Sequence, residues 1–390
     1  MTPPLRSLAG LATLSLVLAA CAGSSHTGTT SPEDSYDVVI SGGKIVDGTG
    51  NPWYYGDVGL KGDRIAAITP MGGLASARAG KRIDAKGMVI APGFIDIQGQ
   101  SDEQLLTGDG RVISKITQGV TTEILGEGDT PAPVNDKILA TFDAADTADI
   151  RIARQFMGAH GFGAWLDAMQ KHGNSINVGS FIGAGTIRAY ANGEAQGAPS
   201  AAQLDTMRRV TRDAMRDGAF GVASALIYPP GNYAGTPELS EIAKAMAPYH
   251  GVYITHIRSE GDSLLEAIDE ALAIGRAGGV PVEIYHLKAA GGHAWGKAAE
   301  MVNKIDSARA AGQDVGATMY PYTASGNGLD ACVPPWAAEN GKLLENLKNP
   351  ETRAKIIAEA MDTTPHRPVY CQESGPGPIM VVGLLSTPSL

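Results

Sequence analysis

Met88-Val89-Ile90-Ala91-Pro92-Gly93-Phe94-Ile95-Asp96-Ile97-Gln98-Gly99-Gln100 separates two kinds of pattern in this chain. Before it, short apolar or alternating runs punctuated by glycine pairs predict strands over 36–40, 44–46, 58–60, 64–68 and 81–84. Residues 36–90 are therefore expected to form a small antiparallel β unit. After Pro92, apolar strands alternate with amphipathic helical stretches. The expected strands are 93–97, 120–125, 177–182, 219–223, 252–256, 282–286 and 315–319, with helices at 202–216, 238–247, 263–277, 297–311 and 342–361. Pro237 suits the first turn of its helix. This gives seven β/α repeats where a closed barrel needs eight, and no eighth strand is legible before Leu390.

Further outward, the first residues read as an export signal: Arg6, an apolar run from Leu8 to Ala20, then small residues. The run is too short to span a bilayer. Its ending, Leu18-Ala19-Ala20-Cys21, resembles a bacterial lipobox, which implies lipidation of Cys21. The expected organisation is a signal over 1–21, a polar tether over 22–35, the β unit over 36–90 and the β/α part over 91–390. The chain is then exported to the periplasmic side and held to a bacterial membrane by lipid alone. Cys332 and Cys371 could form a disulfide there or remain two separate thiols. A formal charge of −10 argues against nucleic acid or an anionic membrane surface as partner, while leaving room for a small anion in a locally basic pocket.

Catalytic groups of a β/α barrel sit at the carboxyl ends of its strands, where the loops form one mouth. Those positions hold Gln98 and Gln100, Glu123 and Glu127, His256, His286 with Lys288, and Tyr320 to Ser325. Two imidazoles closing consecutive strands, with a carboxylate across the mouth, suit Zn²⁺ and leave a position for water. Metal binding would make that water a usable nucleophile near neutral pH. Glu127, in a Gly126-Glu127-Gly128 turn, is either the third ligand or a solvated turn residue. Glu123, one pleat away, is expected to pair with a basic residue. His26, His172, His250 and His366 read as structural, and His160 and His293 lie in loops.

The ordered runs Tyr36-Asp37-Val38-Val39-Ile40, Ala91-Pro92-Gly93-Phe94-Ile95-Asp96, Gln118-Gly119-Val120-Thr121-Thr122, Gly218-Ala219-Phe220-Gly221 and Leu226-Ile227-Tyr228-Pro229-Pro230-Gly231 carry a family resemblance. Thr255-His256-Ile257-Arg258, His286-Leu287-Lys288 and Tyr320-Pro321-Tyr322 complete the series. Together they resemble the D-aminoacylase (N-acyl-D-amino-acid deacylase) family of the amidohydrolase superfamily. The resemblance implies a distorted (β/α)8-type (TIM) barrel beside a small β-sandwich, and zinc-dependent hydrolysis of an N-acyl amide.

It also implies that His256 and His286 are metal ligands, with Glu127 replacing a family cysteine. Lys288 would grip the carboxylate of an N-acyl amino acid, assisted by Tyr228, Tyr320 or Ser325. Two departures stand out. Gln98 and Gln100 occupy the places of a His-x-His pair, so one zinc ion is expected rather than two, since a neutral amide is a poor zinc ligand. The family's general-base Asp, at the end of strand eight, has no match. A rival reading is a non-catalytic remnant or binding lipoprotein, which those departures favour and the retention of His256, His286 and Lys288 disfavours. The residues name neither the acyl group nor the oligomeric state.

Overall fold

The structure, a computed structural model, describes residues 35–292 and 294–362. The signal, nearly all of the tether, Cys21, His26, His293, His366 and Cys371 lie outside the described residues. The chain divides into two units, one up to Pro92 and one from Gly93.

In the first unit, β1 (Ser35–Ile45), β2 (Tyr54–Lys61), β3 (Arg64–Pro70), β4 (Arg78–Asp84) and β5 (Val89–Ile90) form one sheet. The two short runs expected over 36–40 and 44–46 are a single strand, β1, whose register shifts between Ile40 and Gly43. The purely antiparallel reading is corrected. β2 pairs antiparallel with β1 and β3, but β4 and β5 both run parallel to β1. The reason lies in the turn after β3. Buried Asp57 accepts hydrogen bonds from the backbone N–H groups of Gly42, Gly72 and Leu74, at 2.9, 2.9 and 3.2 Å. That anchors residues 72–74, and the chain re-enters on the far side of β1 rather than turning back beside β3.

The second unit is a parallel β/α array of barrel type. Strands β6 (Phe94–Asp96), β7 (Val120–Leu125) and β8 (Asn177–Ser180) pair in that order. Strands β9 (Ile182–Gly183), β10 (Gly221–Ala225), β11 (Val252–His256), β12 (Val282–Ile284) and β13 (Val315–Ala317) form a second parallel set. β8 and β9 are one run interrupted at Phe181, whose N–H still donates to Leu125 O at 3.0 Å. The seven strand positions expected from the apolar runs are thus all present. Their C-terminal ends share one mouth, as the parallel pairing requires.

Helices Gly161–His172, Ala184–Asn192, Ala201–Arg216, Thr236–Met246, Leu264–Gly278 and Ala298–Ala310 supply the connections. Their apolar faces, including Trp165, Ile187, Met207, Leu239 and Ile268, join strand residues such as Val222 and Ile284 in one continuous core. The first two helices escape the periodicity reading because their starts, Gly161-Phe162-Gly163 and Gly183-Ala184-Gly185, look like loops. A fully buried ion pair, Arg188 Nη1 to Glu238 Oε2 at 2.5 Å, ties the second helix to the fourth. The single helix expected over 342–361 is instead two, Leu343–Lys348 and Pro350–Ala360. Pro350 forces Asn349 into extended backbone (φ −78°, ψ 122°), and the Asn349 side chain caps the second helix. Cys332 is disulfide-bonded, not a free thiol. Among the described residues, no helix is long and apolar enough to cross a membrane.

Candidate metal centre

Five strands of the second unit deliver polar residues at or just past their C-terminal ends. Gln98 and Gln100 follow β6, Glu127 follows β7, Tyr228 follows β10, His256 ends β11 and His286 follows β12. A cavity of about 730 Å³ is lined by these residues together with Lys288, Tyr320 and Ser325.

Glu127 sits between two glycines in left-handed backbone, Gly126 at φ +105° and Gly128 at φ +76°. A Cβ on Gly126 would lie 2.2 Å from Phe181 O, so the turn that lifts Glu127 into the mouth requires glycine there. Glu127 Oε1 then lies 3.3 Å from His256 Nδ1 and 3.2 Å from His286 Nε2. The two imidazole rings stand 4.4 Å apart, nearly perpendicular. One ligand atom from each of the three residues falls within 4.8 Å of the others. The other oxygen, Oε2, accepts from the side-chain amides of Gln98 and Gln100 at 2.8 and 2.9 Å. Burial alone would raise the Glu127 pKa, but hydrogen bonds from His256, His286 and Gln98 outweigh it and hold the carboxyl far below its ordinary range.

Glu260 is the site residue that sequence reasoning missed. It is almost fully buried behind the imidazoles, with Oε1 3.1 Å from His286 Nδ1, 3.8 Å from His256 Nε2 and 2.5 Å from Lys288 Nζ. Its one sequence signal is an acid in the loop four residues beyond a strand-end histidine. Burial would raise its pKa; the His286 bond and the nearby His256 and Lys288 charges bring it below the ordinary value.

This arrangement tests whether a cation fits. A neutral imidazole has one N–H. His286 faces a carboxylate oxygen at both ring nitrogens, so one of those contacts needs an extra proton or a metal ion. Burial pushes the His286 pKa down, yet its bonds to Glu127 and Glu260 prevail and raise it. With a cation bound, Nδ1–H would be donated to Glu260 and the Nε2 lone pair left for the ion. A buried carboxylate holding the outer N–H of a ligand histidine is the usual support for such a metal ligand. His286 also adopts φ +36°, rare for a non-glycine residue, and its N–H is held by Thr318 Oγ1 at 2.8 Å. The residues present therefore fit a cation between Glu127 Oε1, His256 Nδ1 and His286 Nε2.

Lys288 lines the cavity, but its ammonium is also engaged, by Glu260, by the His286 carbonyl at 3.2 Å and by His286 Nδ1 at 3.0 Å. Tyr228 lies edge-on to His256, and Tyr320 edge-on to His286 and stacked on Tyr322. Glu123 does not reach the mouth. It is buried and pairs with Lys115, at 3.3 Å, which also binds Asp96 at 2.5 Å. His160 is exposed and pairs with Asp217 at 2.8 Å, while His172 bonds Gly108 O at 2.8 Å; neither lines the cavity.

A parallel β/α barrel whose consecutive strands end in metal-competent histidines defines the amidohydrolase class. The chain belongs, within that class, to the D-aminoacylase (N-acyl-D-amino-acid deacylase) family. It is 35% identical over 336 residues to N-acyl-D-glutamate deacylase of Alcaligenes xylosoxydans xylosoxydans, covering 84% of this chain and 65% of the relative. It is 35% identical over 297 residues to D-aminoacylase of the same organism, covering 75% of this chain and 59% of the relative. The chain thus spans less than two thirds of either relative. Among solved structures, N-acyl-D-glutamate deacylase from Bordetella bronchiseptica, complexed with zinc and a phosphonate mimic of the tetrahedral intermediate, aligns at TM-score 0.64 and 31% identity. A D-aminoacylase structure concerned with its binuclear metal centre, one-metal activation and second-metal attenuation, aligns at 0.65 and 34%. Both alignments cover 74% of this chain and 59% of the other. No protein-family model matches the chain.

Proposed function

We propose that this protein hydrolyses the amide bond of N-acyl-D-amino acids using a single zinc ion held by Glu127, His256 and His286. The observation that carries the reading is the convergence of one carboxylate and two imidazoles on one point of a cavity that also holds Lys288. The names of the 35%-identical relatives supply the substrate class. Zinc, when bound, supplies a Lewis acid and a bound water of lowered pKa.

The chain's own residues do the rest. Glu260 fixes the ring orientation of His286 and neutralises Lys288 at its base. An ammonium carries three donors, and Glu260 and the His286 carbonyl take two. The third faces His286 Nδ1 at 3.0 Å, and a substrate carboxylate entering from the cavity would compete with these contacts for the ammonium. Tyr228, Tyr320 and Ser325 line the same cavity and are assigned to hydrogen bonding around that carboxylate. No strand-eight aspartate lies among the described residues, so the proton of the attacking water is assigned to no described group. We also assign the protein to the periplasmic side of a bacterial membrane, anchored through lipidated Cys21, on the strength of Leu18-Ala19-Ala20-Cys21.

The test is hydrolysis of a panel of N-acyl-D- and N-acyl-L-amino acids by the intact protein, with zinc and after chelation. Zinc-dependent release of the D-amino acid is expected. A protein that binds zinc but hydrolyses none of the panel would favour the remnant, for which the Gln98 and Gln100 replacements speak.

A further inference from the structure

We propose that Gln98 and Gln100 are positioning residues: an amide clamp that aims Glu127 at the two histidines and limits the centre to one cation. The inference rests on the metal-site reading above and gives a role to the two residues that depart most from the expected pattern.

Gln98 and Gln100 lie in the bend just past β6, and both side-chain amides reach Glu127 in the mouth. The intervening residue has to be small. A Cβ on Gly99 would fall 2.1 Å from Glu123 Cγ, and Glu123 is buried and paired with Lys115. Gly99 N–H donates to Ile124 O at 2.9 Å, which seats the segment against β7, the strand that leads to Glu127. The two amides therefore approach Glu127 from a fixed backbone.

The direction of both bonds is forced by chemistry. An ionised carboxylate only accepts, so each glutamine presents N–H to Glu127 Oε2, at 2.8 and 2.9 Å. With Oε2 engaged twice, Oε1 is the oxygen left facing His256 and His286. Freed from the clamp, the carboxylate could rotate about its terminal torsion, which is broad for such groups. Each amide commits an N–H to Glu127, and a neutral amide is a poor ligand for a second zinc. Two imidazoles there would offer lone pairs instead.

Zinc affinity and stoichiometry, measured by chelator competition and elemental analysis on the intact protein, test the clamp apart from catalysis. Wild type is expected to hold one zinc per chain. The Gln98→Ala/Gln100→Ala variant is expected to hold one zinc about 10–100-fold more weakly, the usual cost of losing the partners that orient a metal ligand. Gln98→Glu/Gln100→Glu, which replaces the donors with carboxylates, is expected to take up a second ion. Unchanged affinity in the alanine variant overturns the clamp while leaving the zinc reading intact. Two ions in wild type, or one in the glutamate variant, overturn the limit to one cation. A wild type that binds no zinc overturns the underlying reading and the clamp with it. Should the double alanine variant not fold, Gln100→Ala alone removes an exposed side chain and one of the two bonds, and the same comparison applies.

Discussion

The two sides of the mouth solve the same placement problem with opposite chemistry. On the side of β11 and β12, the strand ends present imidazole nitrogens to Glu127, backed by buried Glu260. On the side of β6, the strand end presents two amides with N–H groups facing inward. Glu127 lies between, one oxygen toward each side. Under the proposed zinc reading, the contrast is that a strand-end position keeps its geometry while its role passes from holding a metal to holding the residue that would.

The largest expected effect breaks the imidazole side. His286→Ala should abolish stoichiometric zinc binding by elemental analysis. It should also cost the metal-free protein about 3–5 kcal/mol in urea unfolding, because Glu127 and Glu260 lose a buried partner. A variant that retained one tight zinc would place the ion elsewhere in the mouth.

Next is Glu260→Gln, which keeps the shape but removes the charge shared by His286 and Lys288. Zinc affinity should fall about 10–100-fold, the range for an outer partner of a ligand histidine. The KM for N-acyl amino acids should rise more than for their uncharged esters, because Lys288 loses its anchor. Equal changes for both substrates would separate Lys288 from carboxylate recognition.

The pH dependence sharpens the comparison further. In the metal-free protein, the depressed Glu127 pKa gives stability present above the unfolded value near 4.5 and lost as pH falls toward the folded one. The raised His286 pKa gives stability present below the unfolded value near 6.5 and lost as pH rises through the folded one. The site thus contributes most between these two unfolded values. Zinc must displace the His286 proton, so its stabilisation grows with pH. The shift in Tm on adding zinc should be larger at pH 8 than at pH 5.5, and an equal shift would remove His286 from the ligand set.

The smallest effect lies outside the mouth. Ser200 caps the helix Ala201–Arg216 in a reciprocal box with Gln203. Ser200→Ala should cost about 1 kcal/mol in thermal unfolding and leave zinc affinity unchanged. A change in affinity would mean that barrel stability and the metal centre are coupled over a longer range than the contacts indicate.

Strand-end chemistry was the most legible part of the sequence. Apolar runs bounded by glycine located the seven strand positions, and parallel pairing then required His256 and His286 to share a mouth, while Glu127 stayed open between ligand and turn residue. Glu260 was hidden because a loop acid has no periodicity, and its burial comes only from the folding-back of the loop after β11. The role of Gln98 and Gln100 was hidden for another reason. In sequence a glutamine is merely a missing histidine, whereas in space its amide meets a carboxylate 29 and 27 residues further on. The parallel β4 and β5 were illegible because the anchoring Asp57 looks like an ordinary strand residue, although it binds three backbone N–H groups. The split at Pro350, by contrast, follows from proline chemistry and should have been drawn from the sequence.

The most direct test of the account is anomalous diffraction at the zinc edge from crystals of the zinc-loaded protein. The account predicts one peak, bounded by Glu127 Oε1, His256 Nδ1 and His286 Nε2, with both glutamine amides still on Glu127 Oε2. A peak bound by Gln98 or Gln100, or no peak among these residues, would contradict it.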